Sequence, residues 1–562
     1  MSFKKNDYQQ ISISDSYMAQ SERTKKYLSK SWAEGFANLV FPKINEDRFA
    51  VLYSDNDSSR PNTPVNIIIG ALMLKELNGL TDDELLEEVL FDIRYQYALW
   101  TTSYKEQPFS DRTVSRFRER LREHEEETGE DLLKAEMLSL ADVFCEYMKM
   151  DKGLKRMDSI MVASNCKRMS RLELFYTCVS NLVNMINKNG DSETIASFER
   201  YIAEDDKNNT IYRSKPEDVS KRIDIVLKDA LVLLNISACK YGQTEEYKIL
   251  SRLIDEQTDS TDGGIKLKES KKVSSSSLQN PSDPDATYRK KSGKGHVGYV
   301  GNIVETVDTE SGAAIITGYD YQNNLYHDSQ FCKDVIEDHD KCEDATTTIV
   351  ADGAYYGIDN IERADEKNIE LVTTSMVGSD PSEYHKDFIV DEDTRVILSC
   401  PAGHQPEHCW YNEKQDNYRL TFNREHCEGC PLKTECKAVI QKKNAVVKLS
   451  MDMIKRSRYL ALMKTERYRE LGRFRNGVEG VPSILRRRYR VDEIPDFGLK
   501  RSKIWFSLKV GAINVKRMLA AVTAGALTSF DSMSNMFNGI LVLMIQTIEW
   551  KLRVRLCIKL GF

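Results

Sequence analysis

The sequence predicts a mixed α/β protein of several domains, and three observations carry that prediction. Apolar residues recur at helical spacing through much of the first 150 positions. Two β-branched runs, Arg156-Met-Asp-Ser-Ile-Met-Val and Thr346-Thr-Thr-Ile-Val-Ala-Asp, read as buried strands that each hold an acid. A compact cysteine cluster stands apart from both, between positions 400 and 436. With 562 residues, 41% of them hydrophobic, the chain is long enough for more than one core.

Composition narrows the function classes. The N-terminus lacks the apolar core of a signal peptide, and the longest apolar run, Gly539 to Ile545, stops at Gln546, well short of a bilayer. A cytoplasmic protein without membrane contact is expected. The formal net charge of −7 argues against a polyanionic partner until it is counted by region. Residues 454–518 hold 18 Lys and Arg against 6 Asp and Glu, a basic segment suited to nucleic acid.

In chain order, residues 1–60 offer one helix, around Ser31 to Leu39. Thr63-Pro64 opens a helix carrying Val65, Ile68, Ile69, Leu72, Met73 and Leu77, and Asn78-Gly79 closes it. Thr81-Asp-Asp-Glu84 is a capping box for a second helix reaching Tyr97. A third opens at Ser110-Asp111, with Val114, Phe117 and Leu121 on its apolar side and Arg112, Arg116, Arg118, Arg120 and Arg122 as its charge. This trio resembles a helix-turn-helix and makes Arg112 and Arg116 candidate phosphate contacts, although a plain bundle with solvated arginines has the same pattern. A long helix from about Glu125 to Lys149 leads to the Asp158 strand. From Met169 to about Asp255 the pattern is helical again, an inserted subdomain, and the polar tract Glu269 to Ser277 reads as a flexible connection.

His296 to Asp308 and Ala313 to Tyr321 form a hairpin about Asp308-Thr-Glu-Ser-Gly312. Helices near Asp328 to Glu337 and Asn360 to Lys367 flank the Asp352 strand, and Ile369 to Thr374 adds another strand. Strand, hairpin, helix, strand, helix, strand is the order of a ribonuclease-H-like sheet, in which the strands of Asp158 and Asp352 lie side by side. Asp352 stands at a strand's carboxyl end, where open α/β sheets present their chemistry. Capping a turn is the ordinary use of Asp-Gly, and a hydrogen bond to Ser159 or Ser164 is the ordinary use of Asp158. His327-Asp328 falls near the same place, and a helix cap accounts for Asp328 equally.

Two-residue spacing lets Cys427 and Cys430 reach one tetrahedral ion, and Cys400 and Cys436 can close a structural four-sulfur zinc site. His404, His408, Cys409 and His426 are alternative ligands. Further on, about 100° per residue places Arg475, Glu479 and Arg486 on one helical face, a carboxylate among cations suited to phosphate. Gly477, Gly480 and Pro482 predict a kink or break near Glu479.

Asp158 in Arg-Met-Asp-Ser, Asp352 in Val-Ala-Asp-Gly-Ala-Tyr and Glu479 in Arg-x3-Glu-x6-Arg, in this order, resemble the DDE transposases of bacterial insertion sequences. The likeness takes in the helices of Pro64 to Arg122 and the cysteine insertion, and spans most of residues 60–518. It departs at Pro482 and at Arg486, where that family usually has lysine, and it assigns nothing to 519–562. The resemblance implies a triad of Asp158, Asp352 and Glu479 holding two Mg²⁺ or Mn²⁺ ions, with Arg475 and Arg486 on phosphate. It implies hydrolysis of phosphodiesters at the element's ends and strand transfer into target DNA. The partners implied are double-stranded DNA, as terminal inverted repeats and as target, and a second copy of the chain, at a bacterial nucleoid. A non-catalytic DNA-binding derivative and a ribonuclease-H-like nuclease that cuts without joining are the alternative readings.

The expected plan is therefore a helical, DNA-binding N-terminal domain (1–150), the first core strand (151–168), a helical insertion and linker (169–284) and the rest of the sheet (285–380). A small zinc knuckle (381–450), the basic segment with the third acid (451–518) and a helical extension (519–562) complete it.

Overall fold

The computed structural model describes all residues but 7–14, 57, 111, 214, 262–263, 292, 340–345, 392–393 and 524–562. The helical extension expected over 519–562 thus lies, from 524 onward, outside the described residues. The chain is a mixed α/β protein with a helical N-terminal region and sheets in the later part.

The N-terminal region is built on α1 (Val65–Asn78), α2 (Asp82–Phe91), α3 (Thr113–Thr128) and α4 (Leu132–Tyr147). The Thr81–Glu84 capping box forms as its spacing predicts. Other helix ends differ from the sequence reading, each for a local reason. Thr63 does not cap α1; its hydroxyl goes to the Pro108 carbonyl, and the buried Glu46 carboxylate accepts the Val65 and Asn66 N–H groups at 3.0 and 3.3 Å. Asp92 ends α2 and caps a separate short helix, Ile93–Ala98. Gly129, in left-handed backbone at φ 78°, ends α3, and Asp131 caps α4, so the long helix is two. Residues 99–112 join the short helix to α3, a longer link than the three- or four-residue turn of a helix-turn-helix.

After β1 (Leu154–Ala163) comes the insertion, α5 (Arg171–Lys188), α6 (Val219–Tyr241) and α7 (Glu245–Gln257). It has its own core, including Phe175, Tyr176, Leu182, Leu233 and Leu253. The polar tract behind it is tied down: Tyr288 N–H donates to the Ser275 carbonyl at 3.0 Å, and Arg252 to that of Ser276 at 3.1 Å. The main sheet continues with β2 (Thr287–Lys291), β3 (Lys294–Val307) and β4 (Ala314–Asn323), then α8 (Asp328–Glu337), β5 (Thr347–Ala351), α9 (Ile358–Glu366) and β6 (Ile369–Thr373). β3 lies antiparallel to β1 and carries β2 and β4 on its other edge, both antiparallel to it. On the other side, β5 runs parallel to β1, and β6 parallel to β5. Arg156 pairs with Val350, two residues before Asp158 and Asp352 respectively.

Residues 381–450 hold a separate antiparallel sheet of β7 (His408–Asn412), β8 (Asn417–Asn423) and β9 (Asn444–Ser450), packed through Tyr418, Leu420, Phe422 and Val447. Four helices follow: α10 (Met451–Met463), α11 (Glu466–Arg475), α12 (Gly480–Arg487) and α13 (Leu499–Thr523). α13 packs against α1, α4 and β4, so one hydrophobic core joins the N-terminal helices to the main sheet. Two of its cations are spent inside: Lys509 pairs with Glu76 at 2.7 Å, and Lys503 with Glu125 and Asp131 at 2.9 Å each. Among the described residues no helix is long and apolar enough to cross a membrane.

Candidate active site

Three acids from distant parts of the chain meet beside the middle of β1 and the carboxyl end of β5. Asp158 is 8% exposed in β1, and its Oδ1 accepts the Ser159 N–H at 2.9 Å. Asp352 follows β5 directly and caps the turn Gly353–Tyr355 through the Ala354 N–H at 2.8 Å. Only glycine fits after it, because a Cβ on Gly353 would lie 2.0 Å from Ser375 Oγ. Glu479 closes a 3₁₀ turn, Asn476–Glu479, between α11 and α12, which is where the glycines and proline predict a break.

Arg475, the last residue of α11 and buried, stands among them. Its Nη1 donates to Glu479 at 2.7 Å and its Nη2 to Asp158 at 2.9 Å, and Nη2 lies 3.8 Å from Asp352. One guanidinium therefore faces all three carboxylates. Gly477, two residues on, makes room for Arg156, since a Cβ there would fall 2.0 Å from Arg156 Nη1. Arg156 in turn donates to the Phe474 carbonyl at 3.2 Å and pairs with the fully buried Glu305 at 2.5 Å, fastening the end of α11 to β1 and β3. Neither Arg156 nor Glu305 stood out in the sequence as part of the site; the signal was a charged residue inside a buried strand.

Burial raises the Asp158 carboxyl from its ordinary value; Arg475 opposes that and the neighbouring Asp352 adds to it. Behind the pair, Asp328 at the start of α8 is 3% exposed, and its Oδ1 has no hydrogen-bond partner. Burial raises its carboxyl too, against Arg289 and Lys291 of β2. Oxygen-only donors of this kind suit a hard divalent cation. Among the described residues, however, no group of three or more His, Cys, Asp or Glu stands close enough to hold an ion. At the triad the guanidinium stands between Glu479 and the two aspartates.

Arg486 is engaged elsewhere: Nε pairs with Asp492 at 3.2 Å and Nη2 donates to the Met161 carbonyl at 2.7 Å. The 3₁₀ turn, at about three residues per turn, shifts the phase that a continuous helix would keep. Arg112 and Arg116, at the start of α3, are exposed and have no ion pair among the described residues. Cys400, Cys427, Cys430 and Cys436 are free and partly buried. Burial raises the Cys427 thiol, helped by Cys400 and Cys430, and pushes Cys436 up to about 11 with all three of the others contributing, so the four sulfurs share one neighbourhood. The His404 and His426 rings stack beside them at 4.2 Å.

Comparison with known families bears on this geometry. One family model, the transposase DDE domain, matches residues 399–519, and a second, a transposase domain (DUF772), matches residues 30–120. Together they support a DDE transposase of insertion-sequence type. The first match contains the cysteine module, Arg475, Glu479 and Arg486; the second contains α1, α2, Arg112 and Arg116; Asp158 and Asp352 lie outside both. No curated protein matches, and no solved structure does.

Proposed function

We propose that this transposase cuts and joins DNA through Asp158, Asp352 and Glu479, set on a ribonuclease-H-like sheet. The observation that carries the reading is the convergence of three sequence-distant acids on one guanidinium, a place built for positive charge. The strand order β4–β3–β1–β5–β6, with the first three antiparallel and the rest parallel, supports the sheet's assignment.

Asp158, Asp352 and Glu479 would hold Mg²⁺ or Mn²⁺, which supplies activation of a water or 3′-hydroxyl and charge stabilisation at the phosphorus. The chain's own part is to hold the acids in register and to keep Asp158 away from bulk water. Arg475, held by Glu479 and Asp158 here, has a planar fork that would suit phosphate once it left the carboxylates. Cys400, Cys427, Cys430 and Cys436 would hold structural Zn²⁺, tested by metal content before and after Cys427→Ser. Double-stranded DNA is the substrate, and two element ends make a homodimer the natural assembly.

The test is cleavage and joining of labelled duplexes bearing the flanking element's ends, with Mg²⁺ or Mn²⁺. Wild type should give joined product, and Asp352→Asn should lose at least 100-fold while binding the duplex equally well. Binding without cleavage by folded wild type on the correct ends would leave a DNA-binding derivative; cleavage without joining would leave a nuclease.

A further inference from the structure

A cavity of about 640 Å³ opens between the N-terminal helices and the segment that joins α12 to α13. Its inner wall is charged but balanced. Lys75 and Arg118 both bind Asp82, at 2.8 and 2.7 Å, and both lie over the Trp505 ring, at 3.8 and 4.1 Å. Lys509 takes Glu76, and the Trp505 indole donates to Asp496 at 2.8 Å. With its ring already covered by cations, Trp505 is no platform for a base.

Two features point to an anion. Arg118 is nine-tenths buried, yet its Nε has no hydrogen-bond partner, leaving a buried donor unanswered. At the mouth, Arg488 and Arg490 are exposed, and Arg490 has no ion pair among the described residues. Arg490 also holds left-handed backbone, φ 46°, a conformation that non-glycine residues keep where surrounding structure imposes it, often at functional sites. The lining acids are mostly consumed by the pairs above and by Glu119 with Arg122; Glu493 has no ion pair among the described residues, and Arg488 Nη2 donates to the Leu77 carbonyl at 3.2 Å.

We propose that this cleft is a phosphate-binding site, filled by a phosphodiester of DNA lying across the junction of the two family-matched segments. Arg490 and Arg488 would meet the phosphate oxygens at the mouth, with Arg118 Nε behind them. Ser115 of α3 lines the same cleft, so exposed Arg116 beside it would continue the track along the backbone. The phosphate chemistry stands on the cavity alone; DNA as its source rests on the transposase reading.

The experiment uses the full chain in EDTA, wild type against Arg488→Gln/Arg490→Gly, a pair chosen because both sites are exposed and glycine suits the backbone at 490. Duplex binding is followed by anisotropy across a salt series, and inorganic phosphate is added in thermal unfolding. The expected result is a slope of log K against log salt reduced by about one to two, with phosphate raising the melting temperature of wild type but not of the variant. Unchanged slope, affinity and phosphate response would overturn the site. Loss of the phosphate response alone would uphold a phosphate site and overturn DNA as its occupant. If wild type bound no DNA the transposase reading would fail, while the phosphate arm would still decide the cleft.

Discussion

Asp158, Asp352 and Glu479 all face one cation, Arg475, which is itself buried. Removing it strands carboxylates that have lost their counter-charge. Arg475→Gln should therefore lower stability in EDTA by about 3–5 kcal/mol, as for other broken buried pairs, and Mn²⁺ should restore part of the loss in a thermal melt. Gly477 matters for a steric reason. Gly477→Ala puts a methyl against Arg156 and should cost about 1–3 kcal/mol in chemical denaturation, with activity falling because Glu479 moves with the turn. At this scale the sequence was informative where the backbone stays regular. Asp158 and Asp352 could be placed by strand pattern, and Arg475 with Glu479 by an offset of four. Arg486, expected on the same face as Arg475 and Glu479, is not found there, because the turn at Asn476–Glu479 resets the helical phase and Asp492 takes its guanidinium.

Elements were legible in their middles and less so at their ends. Strand runs and the hairpin at Asp308–Gly312 follow from alternation and turn residues, whereas α1 takes its cap from Glu46, nineteen positions before Val65 and invisible to local pattern. The junction of α1, α2 and α3 rests on Asp82 and has a pH signature. Burial pushes the Asp82 carboxyl up, but Arg118 and Lys75 outweigh it and hold it at about 2, below its ordinary 3.8. A depressed carboxylate favours the folded state fully above about pH 4, and that contribution is lost as pH falls towards 2. Wild type should thus lose more stability between pH 4 and pH 2 than Asp82→Asn does, measured by urea midpoints across that range.

Across the whole molecule, α13 closes the fold by carrying the last described stretch back through the core shared by the N-terminal helices and the sheet. The regional excess of 18 cations over 6 acids in residues 454–518 marks a basic segment suited to nucleic acid. Charge counting cannot tell a solvated lysine from one such as Lys509, buried against Glu76 more than 400 positions away. Lys509→Met should cost about 3–5 kcal/mol, because Glu76 would keep only the longer pair to Lys75 at 3.8 Å, whose ammonium is shared with Asp82. The N-terminal helices and the main sheet should still melt together, since they share that core, which far-UV and tryptophan signals would report as coincident transitions.

The most direct measurement of the central claim is Mn²⁺ binding by electron paramagnetic resonance, without DNA, to wild type, Asp158→Asn and Asp352→Asn, each checked for folding. If the three acids form a cation site, wild type should bind Mn²⁺ and each variant should bind at least tenfold more weakly. Equal binding by all three proteins would contradict the account and place the metal chemistry, if any, elsewhere in the chain.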